Sequence, residues 1–283
     1  MPFDAPRGEG AGAPASPAPF SARAGLASRD FALPLLVALI ALAWFVLFMW
    51  ERSPYGRYLS HGQLAHVGHG AASDALVLQA VLYVAGWTLM TAAMMLPTTL
   101  PLIAIFRRLT AARTDRARLT TLLIAGYIGV WLLFGIAAHL FDLGLHEAFH
   151  ESAWLQANAW VFGAGPLLLA GVFQFSSLKY RCLDKCRAPL SFVIEHWRGG
   201  STRLQALRLG AHHGVFCVGC CWALMFLMFA VGTGSVGWML ALGAIMAIEK
   251  NMPWGRKLAA PLGIALLAWG VLIVIDHSWS WQG

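Results

Sequence analysis

Three cysteines within five residues, Cys217-Val-Gly-Cys220-Cys221, are the densest group of metal-capable atoms in the sequence. In a helix, positions i, i+3 and i+4 share a face, so all three thiols project to one side. Met225 and Met228 carry the same stripe of sulfur onward. Thiolate and thioether are soft ligands suited to Cu(I), with Zn(II) as the alternative for the thiolates. Methionine and cysteine are also ordinary core fillers, and it is the crowding of three thiols that favours ligation. A second sulfur patch follows Trp87: Met90 and Met94 at helical spacing, then Met95 and Pro97. Counted inward from Arg107 and Arg208, Met94, Cys217 and Cys221 lie at matching depth, roughly 14 to 20 Å along a helix. The two patches are therefore expected to face each other across one ion.

Cys182-x-x-x-Cys186 is a separate pair, expected at the cytoplasmic end of its helix. Its neighbours Lys179, Arg181, Lys185 and Arg187 favour thiolate. Two thiols do not complete a tetrahedral site, so His212 and His213 are candidate additions. Glu249 could supply an oxygen ligand or pair with Lys250 or Lys257. No cysteine falls in an external loop, which fits free thiols in a reducing compartment. Histidine is partitioned the other way: His61, His66, His69, His139, His146, His150 and His277 are external or at the outer rim, a distribution that could collect an ion but also suits ordinary interfacial loops.

Two enzyme readings compete. His146-Glu147-Ala-Phe-His150 has the form H-E-x-x-H, in which histidines one turn apart bind zinc and the glutamate activates water. It is expected in an external loop of about 12 residues, without an assigned third ligand, which favours a surface metal acceptor over a zinc metallopeptidase. A membrane thiol oxidoreductase could use Cys220-Cys221 with Cys182 and Cys186, but no C-x-x-C in a thioredoxin-like setting appears. No P-loop is present to drive pumping. The balance favours a metal carrier over an enzyme.

The elements that must position these residues are membrane helices. The 283 residues are 59% hydrophobic and 12% charged, against about a quarter charged in an ordinary soluble domain. Residues 1–30, rich in Ala, Pro, Gly and Ser, read as a disordered cytoplasmic tail, and 31–278 as a single transmembrane helical domain. Seven spans are expected, at about 31–50, 76–106, 119–141, 154–175, 211–231, 236–248 and 258–275. The sixth holds only 13 apolar residues before Glu249-Lys250, short of the roughly 20 that a crossing needs. With the N-terminus inside, 18 of the 20 Lys and Arg fall on the cytoplasmic side, a strong positive-inside bias. The expected architecture is thus an all-α polytopic bundle, N-terminus in and C-terminus out, and its basic charge reports topology, not nucleic acid. Trp154, Trp160, Trp279 and Trp281 read as interfacial anchors. Residues 190–197 read as a short helix on the cytoplasmic face, ending at Gly199-Gly200. Pro97 and Pro101 should kink the second span, and Gly210-x-x-x-Gly214 with Gly219 should admit a close neighbour.

Several segments together resemble a known group. Trp87-Thr-Leu-Met90-Thr-Ala-Ala-Met94-Met95-Leu-Pro97, Gln174-Phe-Ser-Ser-Leu-Lys179 leading to Cys182-Leu-Asp-Lys-Cys186-Arg-Ala-Pro189, Gly214-Val-Phe-Cys217-Val-Gly-Cys220-Cys221-Trp-Ala-Leu-Met225 and Glu249-Lys-Asn-Met-Pro253-Trp-Gly255 look like the hallmark segments of an uncharacterised bacterial family of predicted metal-binding integral membrane proteins. The resemblance covers about residues 80–260. It implies metal association and a bacterial inner-membrane address, with no reaction attached. The combined expectation is Cu(I) handling through Cys217, Cys220, Cys221, Met90, Met94, Met95, Met225, Cys182, Cys186 and Glu249, with the lipid bilayer, the metal ion and a metallochaperone as partners.

Overall fold

The computed structural model describes residues 32–52, 73–197, 202–231 and 235–280. The N-terminal tail, His61, His66, His69, the Gly199-Gly200 pair and Trp281 lie outside the described residues, as do the side chains of His146 and Trp279. The elements in order are α1 (Ala32–Glu51), α2 (Ser73–Leu109), α3 (Arg116–Glu151), α4 (Ala153–Ala157), α5 (Val161–Phe173), α6 (Ser177–Arg187), α7 (Pro189–His196), α8 (Thr202–Val231), α9 (Val236–Asn251), a 3-10 turn (Gly255–Leu258) and α10 (Ala259–Ser280). Among the described residues there is no strand.

Helix α8 sits at the centre, touching α3, α5, α6, α7 and α9, while α2 packs against α1, α3, α7 and α9, and α10 covers α5. The α3–α8 seam is set by glycine. A side chain at Gly126 would run into the Leu207 carbonyl, and one at Gly210 into the Leu123 carbonyl, so the two backbones touch directly. Gly214 meets Val130 and the Tyr127 carbonyl in the same seam. This is the close approach that small residues permit, and the glycine pattern of α8 anticipates it.

Helix α2 runs unbroken through Pro97 and Pro101. Proline removes the bond to the carbonyl four residues earlier, which for Pro97 is that of Ala93. The Trp44 indole of α1 donates to this carbonyl at 3.0 Å. Thr98 and Thr99 hydroxyls donate to the carbonyls of Met95 and Leu96, each at 2.8 Å. The carbonyl released by Pro97 is thus met by a side chain, as a buried setting requires.

Five helices are long and apolar enough to cross a membrane: 33–51, 83–109, 116–151, 202–228 and 255–277. A sixth crossing exists only if α5 and α6 count as one span bent by 65°. The sixth expected span, α9, is helical but has 16 residues, about 24 Å at the usual rise. Two expectations are corrected by helix length. Helix α3 continues to Glu151, so the H-E-x-x-H segment is helical and not in a loop. The fourth expected span, 154–175, is not one helix: α4 ends at Ala157 and α5 covers Val161–Phe173, after which the Ser176 side chain accepts from the Lys179 backbone N–H at 3.1 Å and starts α6 in a new direction. The short helix expected near 190–197 is α7, which buries Phe192 and Val193 and leaves Leu190 and Ile194 exposed.

Candidate metal centre

All five cysteines are free and buried. On α8 the i, i+3, i+4 spacing gives one face, with Cys220 Sγ 3.3 Å from Cys221 Sγ and also 3.2 Å from the Cys217 carbonyl. The 65° bend then brings α6 back across this face. Cys186 Sγ lies 4.0 Å from Cys220 Sγ. Cys182 packs over Gly219, where a Cβ would come within 2.6 Å of its Sγ. Cys182 and Cys186 are therefore part of the α8 cluster, not a separate feature at the protein's edge, and nothing places His212 or His213 beside them. His213 is buried among aromatic rings instead, 5.8 Å from Tyr127 and 5.3 Å from Phe192 between centroids.

The cations around the α6 cysteines are committed elsewhere. Lys179 is fully buried and bonds both oxygens of Glu249, at 2.9 and 2.8 Å. Lys185 pairs with Glu195 at 2.8 Å. Arg187 donates to the backbone carbonyls of Glu249 and Pro253, and Arg181 is exposed. Glu249 thus has both oxygens occupied by Lys179, its partner in place of Lys250 or Lys257. These bonds tie α6 to the end of α9 and hold Cys186 against α8.

On α2, Met90, Met94 and Met95 are all buried. Met94 rests on Gly243 of α9, at ordinary contact distance. Met95 is the one directed toward Cys217, and what lies between them is the ammonium of Lys250. Its Nζ is 2.9 Å from Cys217 Sγ, 3.3 Å from Thr98 Oγ1 and 3.9 Å from Met95 Sδ. The Tyr127 hydroxyl completes the surroundings at 3.0 Å from Cys217 Sγ. Met225 and Met228 are buried on the α8 stripe. Sulfur from two helices does converge, but on a lysine that reads in the sequence as punctuation at a membrane edge. The available signal is the shortness of the apolar run before it, which leaves Glu249 and Lys250 inside the bundle, at 1% and 5% exposure.

A metal–sulfur bond near 2.3 Å puts ligand sulfurs about 4.0 Å apart in a trigonal site and about 4.6 Å apart in a linear one. The Cys186–Cys220 separation of 4.0 Å falls at the near end of that window. Among the described residues no three side chains of His, Cys, Asp or Glu form a ready metal group. The donors gathered here are the thiols of Cys and the thioethers of Met, which are soft ligands. In the H-E-x-x-H segment Glu147 and His150 are exposed at the end of α3, and no described third ligand joins them.

Comparison with curated proteins and with solved structures returns no match. Residues 84–273 match the family model described as PpoB2, copper chaperone, and this span takes in α6, α8, α9 and the sulfur-bearing part of α2. The chain belongs to this copper chaperone family.

Proposed function

We propose that the protein is an integral membrane copper chaperone of a bacterial inner membrane, in which Cu(I) is the cargo and is held between α6 and α8 by the thiolates of Cys186 and Cys220. The observation that carries this reading is the 4.0 Å approach of two cysteines from separate helices, inside a family whose description is copper chaperone. Cys221, at 3.3 Å from Cys220, and Cys217 one turn earlier offer further sulfur to which the ion can step. Cys182 and the thioethers of Met90, Met94, Met95 and Met225 make a soft surround that excludes hard ions and water. Exchange of one thiolate for another lets an ion move without ever being free, which is what a chaperone needs to receive from and deliver to a metallochaperone or target.

The membrane address is supported by five long apolar helices and, with α9 counted as a crossing, by 18 of 20 Lys and Arg on the side of the N-terminus, a distribution that favours a cytoplasmic N-terminus. An external C-terminus further needs α9 to complete a crossing, and a reporter fused after residue 283 tests that point. The metal reading is tested by copper content after purification in detergent under reducing, chelator-free conditions. The wild type should carry Cu(I), and the Cys186→Ser, Cys220→Ser double variant should lose most of it. Full copper content in a folded double variant would dismiss the α6–α8 site.

A further inference from the structure

Lys250 is a long cationic side chain directed into a core of sulfur, and its surroundings define its state. An ammonium has three N–H donors and no acceptor. Nζ has three acceptors within reach, on Cys217, Thr98 and Met95. The Thr98 hydroxyl already gives its own proton to the Met95 carbonyl, which leaves its lone pairs to accept from lysine. The side chain is 5% exposed, and among the described residues no carboxylate pairs with it. Its neighbour Glu249 is taken by Lys179, a pair that neutralises itself. Lys250 therefore leaves one unbalanced positive charge at Cys217, on the α8 face that also carries Cys220 and Cys221.

We propose that Lys250 is a specificity-determining residue, whose fixed ammonium next to Cys217 makes the sulfur cluster accept monovalent soft cations and reject divalent ones. This rests on the copper-carrying role proposed above. Coulomb repulsion between a fixed charge and a bound ion is proportional to the ion's own charge. Whatever factor the ammonium removes from the affinity of a monovalent ion, it removes about the square of that factor from a divalent ion at the same place. Sulfur ligands alone do not make this distinction, because Cd(II) and Zn(II) also bind thiolate well. The ammonium bridges Cys217 and Met95, beside the Cys186–Cys220 pair and not between its two sulfurs, so it stays in place when an ion is held there.

Ag(I) and Cd(II) separate charge from softness, because both are thiophilic and they differ by one positive charge. Their affinities are measured by competition on wild type, Lys250→Gln and Lys250→Arg. When the same cysteines are used, both ions displace the same thiol protons, and the ratio of affinities isolates the effect of charge. The Gln variant should bind both ions more tightly and raise the Cd(II)-to-Ag(I) ratio by at least about tenfold, whereas Arg should keep the wild-type ratio. An unchanged ratio in the Gln variant, or equal shifts in Gln and Arg, overturns the proposal. Should the Gln variant not fold, the wild type decides. A preference for Ag(I) over Cd(II) no greater than that of dithiothreitol overturns the proposal, and a greater one supports it. A wild type that binds Ag(I) through Cys186 and Cys220 but fails this comparison sinks the lysine's role alone. A wild type that binds neither ion sinks the carrier reading with it.

Discussion

The pair Lys179–Glu249 gives the most searching test of how α6 is held. Both side chains are essentially excluded from solvent, at 0% and 1% exposure, and the ammonium bonds both carboxylate oxygens. Replacing Glu249 by Gln leaves Lys179 charged and buried with a neutral partner. Breaking a buried pair in this way costs about 3–5 kcal/mol, while replacing both members by apolar groups of similar volume is close to neutral. About 1 kcal/mol corresponds to about 2–4 °C in Tm for a chain of this class, so Glu249→Gln should lower Tm by about 6–20 °C in detergent. The double variant Lys179→Met, Glu249→Leu should recover most of that loss. Copper content separates two roles for the glutamate. If Glu249 only anchors α6, copper falls in the single variant and returns in the double one. If it is a ligand, copper is absent in both. A single variant within about 2 °C of wild type, or a double variant no more stable than the single, refutes the argument that this pair ties α6 to the end of α9.

Other expectations concern the packing and the competing chemistry. Gly210→Ala should destabilise the protein by about 1–3 kcal/mol, read as reduced Tm, because the new methyl meets the rigid backbone carbonyl of Leu123; an unaltered Tm would contradict the direct backbone contact. Trp44→Phe removes the donor to the Ala93 carbonyl and should cost about 1–3 kcal/mol, while the same change in a Pro97→Ala background, where the helix bond can re-form, should cost less. That second comparison is a double-mutant cycle, and additivity would refute the pairing. Glu147→Gln should leave copper content unchanged, since the residue is exposed at the end of α3.

The sequence made some of this legible and hid the rest for identifiable reasons. The shared face of Cys217, Cys220 and Cys221 follows from helical periodicity alone and is found in the structure. That Cys186 joins them depends on a turn at Gln174–Ser176, a tertiary event that spacing within α6 does not encode. Charge after an apolar run reads as a membrane edge, and that rule carries no sign that Lys250 turns inward onto Cys217 and Met95. Gly210 and Gly214 announce a close neighbour, while Gly126, its counterpart on α3, sits in an ordinary apolar stretch and is recognisable only once the two helices are paired. The prolines of α2 predict orphaned carbonyls, yet no local pattern points to Trp44, about fifty residues earlier, as the donor that serves one of them.

The glycine seam between α3 and α8 has a mechanical consequence. Where backbone lies on backbone there are no side chains to rearrange, so the helix bearing three of the cysteines is pinned as if to an anvil. Helix α6, by contrast, is moored to the end of α9 through the tips of Lys179 and Arg187. Such polar moorings can be loosened and remade one at a time, so the cradle can open on one side while its floor stays put.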